Sequence, residues 1–496
     1  MNPMKRQLQD MMVRAEHAKV QGQEAVARAL WRAAIGLDHN NAAIHRELAL
    51  SFGERLDNIP AAQHAHMWLL AQPASPEARW AYGLMLYRNN QLDKAIHILT
   101  PLSQSHPTWP NLNLVLAKIH FAQRALDHSD FYFKQAIQQT IQNLTEEASA
   151  RWEHAMQQLT QGHYADGWDN HEARLTSIGW AQLHLCPLPA PTWAGEPLKD
   201  KTIVVHGEQG IGDEIMYASM LPDLLAQGAH VILACYAAIA HLMRTSFPSI
   251  TVVEHPRGLD NIEQWRQGTM PDWWHQLLND GIQIDYHIPM GSLAQRLRRN
   301  TALFPRTPYL TIDPHHQARM ESTLQARAQE QDISLKGKKR IALAWCGNLD
   351  NPHGRAKSLD LEQLQGLGRI TKNHNAVFVS LQNRQYGHQA LEAHANDLLP
   401  IIDMSPYTDQ FADTLALASH CDHIITIDTS YAHLCGAAGL PALMLLRRNC
   451  DWRWGWTRQD SDWYGSLELI RQDIDGDWSP VIKKTEEKLL KWLTGD

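Results

Sequence analysis

Cysteine is sparse in this 496-residue chain: six residues, none in a C-x-x-C pair. Neither a zinc knuckle nor a disulfide framework is therefore indicated. Long apolar runs are missing too, and nothing approaches the roughly 18 uncharged apolar residues that a bilayer span requires. A basic excess is also lacking. Lys and Arg total 45 against 53 Asp and Glu, a formal net charge of -8, which speaks against a general nucleic-acid binder. The opening segment, MNPMKRQLQDMMVRAEHAKV, is charged and amphipathic with no signal-peptide core, so the expected address is cytoplasmic. What the chain does have is apolar mass: 44% hydrophobic and 20% charged residues permit large cores. Its length predicts about three domains.

Internal periodicity is visible over the first third. Small residues recur at Ala15, Ala49, Gly83 and Ala117, each step being 34 positions. The same step links Ala27, Ala61, Ala95 and Ser129, then Trp31, Ala65, Leu99 and Phe133, and finally His39, Pro73 and Pro107. This pattern resembles the tetratricopeptide repeat, in which a small residue on one helix lets its partner pack closely and proline ends the unit. A half-match, GHYADGW at Gly162 to Trp168, falls out of phase and reads as a terminal capping unit. The resemblance implies a curved stack whose concave face holds a peptide or partner protein.

Prolines concentrate in CPLPAPTWAGEPLK, where a boundary is expected. Beyond it the pattern changes. TIVVHG, HVILACY, SITVVEH and GIQIDYHIP read as strands separated by helical segments, and the alternation restarts at IALAWCG, AVFVSLQ, HIITID and PALMLL. Such alternation predicts parallel sheets wound by right-handed crossovers, with ligands collecting at the strands' carboxyl ends. The predicted organisation is a helical-repeat domain over 1–176, a linker over 177–199, and two α/β units over 200–335 and 336–496. A last helix near Lys483 to Leu493 is expected to pack back across the two halves.

Three clusters stand where chemistry is expected. The first turn carries Gly207, Glu208, Gly210, Gly212 and Asp213 in a G-x-x-G-x-G spacing. It is not the dinucleotide fingerprint, and no acidic residue follows the next strand, so a dehydrogenase is a poor reading. Asp213 is equally a good first-turn residue for the helix dipole. The second cluster, Thr426-Ile-Asp428-Thr429-Ser430-Tyr-Ala-His433, puts an acid, hydroxyls and a helix start at a strand end, suited to phosphates or simply to an N-cap with a packed histidine. The third, from Gly347 and Asn348 to His353, Arg355, Lys357 and Ser358, offers two cations in a glycine-bearing loop. The 28 histidines show no metal-helix spacing, so no metal site is inferred. The run Asp451-Trp-Arg453-Trp-Gly-Trp456 either walls a cleft or packs the halves together.

From about residue 152 onward the chain resembles the heptosyltransferase-like glycosyltransferases of the GT-B fold, and more narrowly bacterial proteins that fuse such a domain to tetratricopeptide repeats. The segments that carry the likeness include PTWAGEPLKDKTIVVHGEQGIGDEIMYASMLPDL, IALAWCGNLDNPHGRAKSLDLEQL, VSLQ and FADTLALASHCDHIITIDTSYAHLCGAAGLPALMLL. DWRWGWTRQDSDWYGSL closes the series. The resemblance implies that Asp213 is the general base of a one-step inverting transfer. It places Gly210, Gly212, Asn348, Ser358, Gln382, Asp428, Thr429, Ser430 and His433 at a nucleotide-sugar donor. It makes Lys357, with Arg355 as substitute, the cation facing the diphosphate, in place of a metal; no cofactor is implied. Many relatives carry arginine where this chain has Lys357, so a bidentate grip becomes a point charge. Whether Glu208 competes as the base stays open. The expected acceptor is a protein held by the repeats. Two other readings stand beside this: an inactive interaction scaffold, and a transferase acting on a glycan or lipid. Homo-oligomerisation is left open.

Overall fold

The 34-residue spacing resolves into helical hairpins. A computed structural model describes residues 3–177, 188–256, 264–265, 267–350 and 352–495. Helices α1 (Pro3–Val20) and α2 (Glu24–Ile35) form the first hairpin, α3 (Ala42–Glu54) and α4 (Asn58–Ala71) the second. The next two are α5 (Pro76–Arg88) with α6 (Leu92–Ser105), and α7 (Leu112–Ala122) with α8 (Leu126–Thr140). Pro73 and Pro107 lie just beyond α4 and α6, where the helix has stopped. Every member of the three small or apolar columns is buried. The one polar member, Ser129, donates its hydroxyl to the Ala117 carbonyl at 2.8 Å, so its burial leaves no donor unmet. Gly83 shows why the first column must stay small. A Cβ there would lie 2.5 Å from Leu99 Cγ on the neighbouring helix. Gly83→Ala is thus expected to lower stability by about 1–3 kcal/mol, read as an earlier thermal transition; unchanged melting would mean that α5 and α6 are not held at this spacing.

The chain forms two compact units, Met1–His154 and Ala155–Asp496. The division falls inside α9 (Leu144–Thr160), whereas the sequence placed the end of the repeat region at 176. The reason is the GHYADGW segment, which forms α10 (Tyr164–His171) and buries its aromatics in the second unit rather than capping repeats. Trp168 is fully buried, with its indole N–H donating to the Arg298 carbonyl at 2.9 Å. The Tyr164 hydroxyl donates to Asp462 at 2.5 Å. Of the predicted linker, 178–187 lie outside the described residues. Its far end pairs with the sheet: Thr192 bridges His287, and the Trp193 N–H donates to the His287 carbonyl at 2.9 Å.

The second unit contains two parallel sheets. The front one is built from β1 (Thr202–His206), β2 (His230–Cys235), β3 (Thr251–Glu254) and β4 (Tyr286–Pro289), in the order β3-β2-β1-β4. The rear one holds β5 (Lys339–Ala344), β6 (Ala376–Ser380), β7 (Ile401–Ile402), β8 (His423–Ile427), β9 (Ala442–Leu446) and β10 (Leu467–Arg471). Its order is β10-β9-β8-β5-β6-β7. All pairings among the described residues are parallel, and most of the strands are apolar and buried on both faces, as is usual for such sheets. The eight predicted strands form, and β7 and β10 add to them. The winding direction switches at β1 in the front sheet and beside β5 in the rear one, which opens a crevice at the carboxyl ends. The helices that matter for the crevice are α11 (Ile211–Tyr217) after β1, α12 (Pro352–Lys357) after β5, and α13 (Ser430–Ala437) after β8. The last helix, α14 (Ser479–Thr494), buries Val481, Ile482 and Leu489 in the rear-sheet core. It packs on the rear half, where the sequence expectation had it crossing both.

Candidate active site

The turn after β1 is built around one carboxylate. Gly210 caps α11, and its N–H donates to Asp213 Oδ2 at 2.8 Å, so the Asp213 side chain curls back over the loop. Its other oxygen, Oδ1, pairs with the Arg453 guanidinium. Both partners are largely buried, with 17% of the Asp213 side chain and 10% of that of Arg453 exposed. Burial raises the Asp213 carboxyl above its ordinary range, and Arg453 only partly offsets this. Gly212, one residue earlier, faces the other half. A Cβ at this position would lie 2.8 Å from His433 Cδ2 and 3.5 Å from Ser430 Cα, so α11 and α13 approach closely only because the residue is glycine.

Glu208, the competing acid of the same turn, is committed elsewhere. Its carboxylate receives Arg174 Nε at 2.8 Å, a second Arg174 nitrogen at 2.7 Å and the Gly291 N–H at 2.6 Å. Both side chains of this ion pair are fully buried. Arg174 also reaches Glu172 at 2.7 Å and the Ser292 hydroxyl at 2.9 Å. A carboxylate so filled is a structural anchor for the loop, whereas Asp213 has a single side-chain partner, Arg453, among those seen in the structure.

On the rear sheet, Asp428 directly follows β8. Its Oδ1 accepts the Trp454 indole N–H at 2.9 Å, and its Oδ2 lies 3.8 Å from Lys357 Nζ. Thr429 stands at the N-cap of α13 without capping it: its hydroxyl turns to the Ile427 carbonyl at 3.4 Å. His433 is buried one turn in, its Nδ1 2.8 Å from the Tyr464 hydroxyl and its ring 5.0 Å from that of Trp454. Burial, with Arg453 adding to it, pushes the imidazole down to about 3, so it is neutral near pH 7. A polar cavity of about 320 Å³ opens here, lined by Gly347, Asn348, Lys357, Gln382, Thr429 and Ser430 among others. Gln382 shapes it by bonding both polar groups of Cys346, taking its N–H at 3.3 Å and donating to its carbonyl at 2.7 Å.

The predicted residues thus fall into two sets. Asn348, Lys357, Gln382, Thr429 and Ser430 share the cavity, with Asp428 beside Lys357. Gly212 and His433 meet where α11 touches α13, with Asp213 next to Gly212 in the chain and turned to Arg453. Three others serve the loops. Gly210 holds Asp213. Ser358 takes the Gly347 N–H at 2.9 Å and donates to the Gly354 carbonyl at 2.7 Å. Arg355 is exposed and donates to the Leu349 carbonyl of its own loop at 2.7 Å. A group able to hold a metal, His241, Asp313 and His316, shares no residue with either set.

Arg453 and Trp454 belong to the run that the sequence leaves open between cleft wall and packing element, and Tyr464 follows it in the chain. All three come from the segment Asp451–Tyr464, and each grips one cleft residue: Asp213, Asp428 and His433 respectively. Local chemistry shapes the segment. Asp451 caps a short 3₁₀ turn by accepting the Arg453 N–H at 3.1 Å. Gly455 then reverses the chain at φ 58 and ψ -173, a conformation that is essentially glycine's alone. Arg471, at the end of β10, ties the reversal down through the Trp454 and Gly455 carbonyls.

Fold and site together define a helical-repeat protein joined to an α/β unit of two parallel sheets, with a polar cavity at the carboxyl ends of the rear sheet's strands. No family model matches the chain. It is 25% identical over 488 residues to Protein FlbA of Caulobacter vibrioides, the alignment covering 89% of this chain and 77% of that one. Among solved structures it is similar to the ADP-heptose LPS heptosyltransferase II of E. coli, at 15% identity and a TM-score of 0.42, covering 60% of this chain and 99% of that one. It is also similar to YrrB, a TPR protein with an unusual peptide-binding site, at 13% identity and a TM-score of 0.30, covering 33% of this chain and 83% of that one.

Proposed function

We propose that the chain is an inverting glycosyltransferase that moves a sugar from a nucleoside-diphosphate donor to a hydroxyl. The observation that carries the reading is the approach of the Asp213 turn to the rear half: Gly212 abuts His433 and Ser430, Ser430 also lines the cavity that holds Lys357, and Asp213 itself pairs with Arg453. In the proposed step Asp213 takes the acceptor hydroxyl's proton as the oxygen attacks the anomeric carbon. The carbon–oxygen bond to the diphosphate breaks, and the leaving group departs with the electron pair. Lys357, the Ser430 hydroxyl and the N–H groups at the start of α13 stabilise its charge, the role a divalent ion fills in other sugar transferases. A carboxylate whose affinity for protons is raised by burial is the better base for this purpose.

The proposed acceptor is a protein segment. In its support, the repeat unit has a mainly apolar cavity on α3 and α5, sized for a side chain and lined by Ala49, Leu50, Trp80, Ala81 and Leu84, with Glu54 and Arg88 also on its wall. The test is to supply the full chain with a panel of nucleotide sugars and a hydroxyl acceptor, and to read the product's anomeric configuration by NMR, with and without a chelator. Inversion that survives chelation is expected; a retained anomer, or activity lost to the chelator, overturns the mechanism. The pH profile adds a second reading. Activity requires ionised Asp213, so kcat/KM is expected to rise with pH through a single acid limb placed above the usual aspartate range. His433, already neutral, contributes no limb between about pH 4 and 8.

A further inference from the structure

Arg453 is held by more than it needs, yet is not satisfied. One of its terminal nitrogens donates to Asp451 at 2.6 Å and the other pairs with Asp213, while the guanidinium carbon lies 4.3 Å from the centroid of the Trp452 ring. Its Nε–H, buried, finds no hydrogen-bond partner among the described residues. A buried guanidinium N–H without an acceptor is costly and calls for an explanation; an anionic ligand supplies one. The position fits. Trp454, the next residue, bonds Asp428, which lies 3.8 Å from Lys357 at the cavity proposed for the donor.

The two carboxylates beside Arg453 are not equal partners. Burial works against both. Arg453 nevertheless holds Asp451 below its ordinary range, whereas Asp213 stays above its own. Asp451 is therefore the firm partner and Asp213 the exchangeable one. The other titratable groups felt by Asp213 are Glu208, Tyr217 and Tyr464. Glu208 is locked to Arg174, and burial pushes both tyrosines up, so none of these groups supplies a competing cation.

We propose that Arg453 is a diphosphate-binding residue that exchanges Asp213 for the donor's diphosphate, so that the carboxylate becomes free to act as base only when donor is in place. This rests on the transferase reading above and adds an order to it: donor first, base second. The guanidinium keeps Asp451 and Trp452 as its pivot and presents its Nε–H and one terminal nitrogen to phosphate oxygens, a fork that lysine does not reproduce.

The experiment uses the full chain and inorganic pyrophosphate as probe, with calorimetry in two buffers of different ionisation enthalpy so that proton uptake is counted. The parent is expected to bind. Arg453→Gln is expected to lose about 10- to 100-fold in affinity. Arg453→Lys, which keeps a cation between the two carboxylates and so guards against misfolding, is expected to lose less. Because Asp213 released from its cation holds a proton more tightly, binding measured on the acid limb of the activity profile is expected to take up a larger fraction of a proton in the parent than in Asp213→Asn. On the plateau, where the carboxylate stays ionised and can act as base, the two are expected to converge. If Arg453→Gln binds as well as the parent, or if parent and Asp213→Asn take up protons equally on the acid limb, the exchange is wrong while the donor site stands. If the parent itself binds neither pyrophosphate nor any nucleoside diphosphate, the transferase reading falls and the exchange falls with it.

Discussion

Replacing Asp213 by asparagine is expected to lower the transfer rate by about 10²- to 10⁴-fold, the range that a positioned acid–base group supplies. The amide is isosteric, so the Gly210 N–H still finds an oxygen and α11 keeps its start. The change removes the ability to take a proton and, with it, the ion pair to Arg453. Pyrophosphate affinity is expected to hold or to rise, since the cavity residues of the rear half are untouched and Arg453 no longer has a carboxylate to give up at this position. The measurement is kcat with saturating donor, set beside calorimetric binding of pyrophosphate. An Asp213→Asn variant that transfers at the parental rate removes Asp213 from the chemistry, because Glu208 is already committed to Arg174 and Gly291.

The largest effect on stability is expected at the other acid of that loop. Arg174→Met would leave the Glu208 carboxylate fully buried with the Gly291 N–H as its remaining partner among those seen in the structure. Breaking a buried pair from one side costs about 3–5 kcal/mol, because the orphaned charge keeps its desolvation penalty. The double variant Arg174→Met/Glu208→Gln is expected to recover part of that loss, since a neutral amide still accepts the Gly291 N–H without a buried charge. Thermal unfolding of parent, single and double variants reads the difference. A double variant as unstable as Arg174→Met would show that packing around Arg174, rather than charge, is what the loop depends on. Activity offers a second readout, because this ion pair anchors the Gly207–Asp213 turn to the 3₁₀ segment Glu172–Leu175 that follows α10.

Much of the architecture was legible in the sequence because its signals are local. The 34-residue columns name the residues at which helix touches helix, and Ala15, Ala49, Gly83 and Ala117 are buried as that spacing requires. Strand and helix alternation likewise set out two parallel sheets, and glycine at 207, 210 and 212 marked the turn that presents Asp213. Where the reading slipped, a local cue was outvoted by distant burial. GHYADGW carries the residue pattern of a repeat, but the second unit offers Trp168 and Tyr164 a core and hydrogen-bond partners at Arg298 and Asp462. Arg355 has the charge for a diphosphate, but its loop turns it to solvent.

The partners of the site were decided by tertiary structure alone. Arg453 and Asp213 are separated by 240 positions, and no spacing rule links them. Nothing in the string pairs Tyr464 with His433 or Trp454 with Asp428. Residue types and short periods are written along the chain, so they determined the elements and the turn that carries Glu208 and Asp213. Which charges meet, and how far burial shifts them, depends on bringing distant segments together and excluding water between them, and only the folded chain does that.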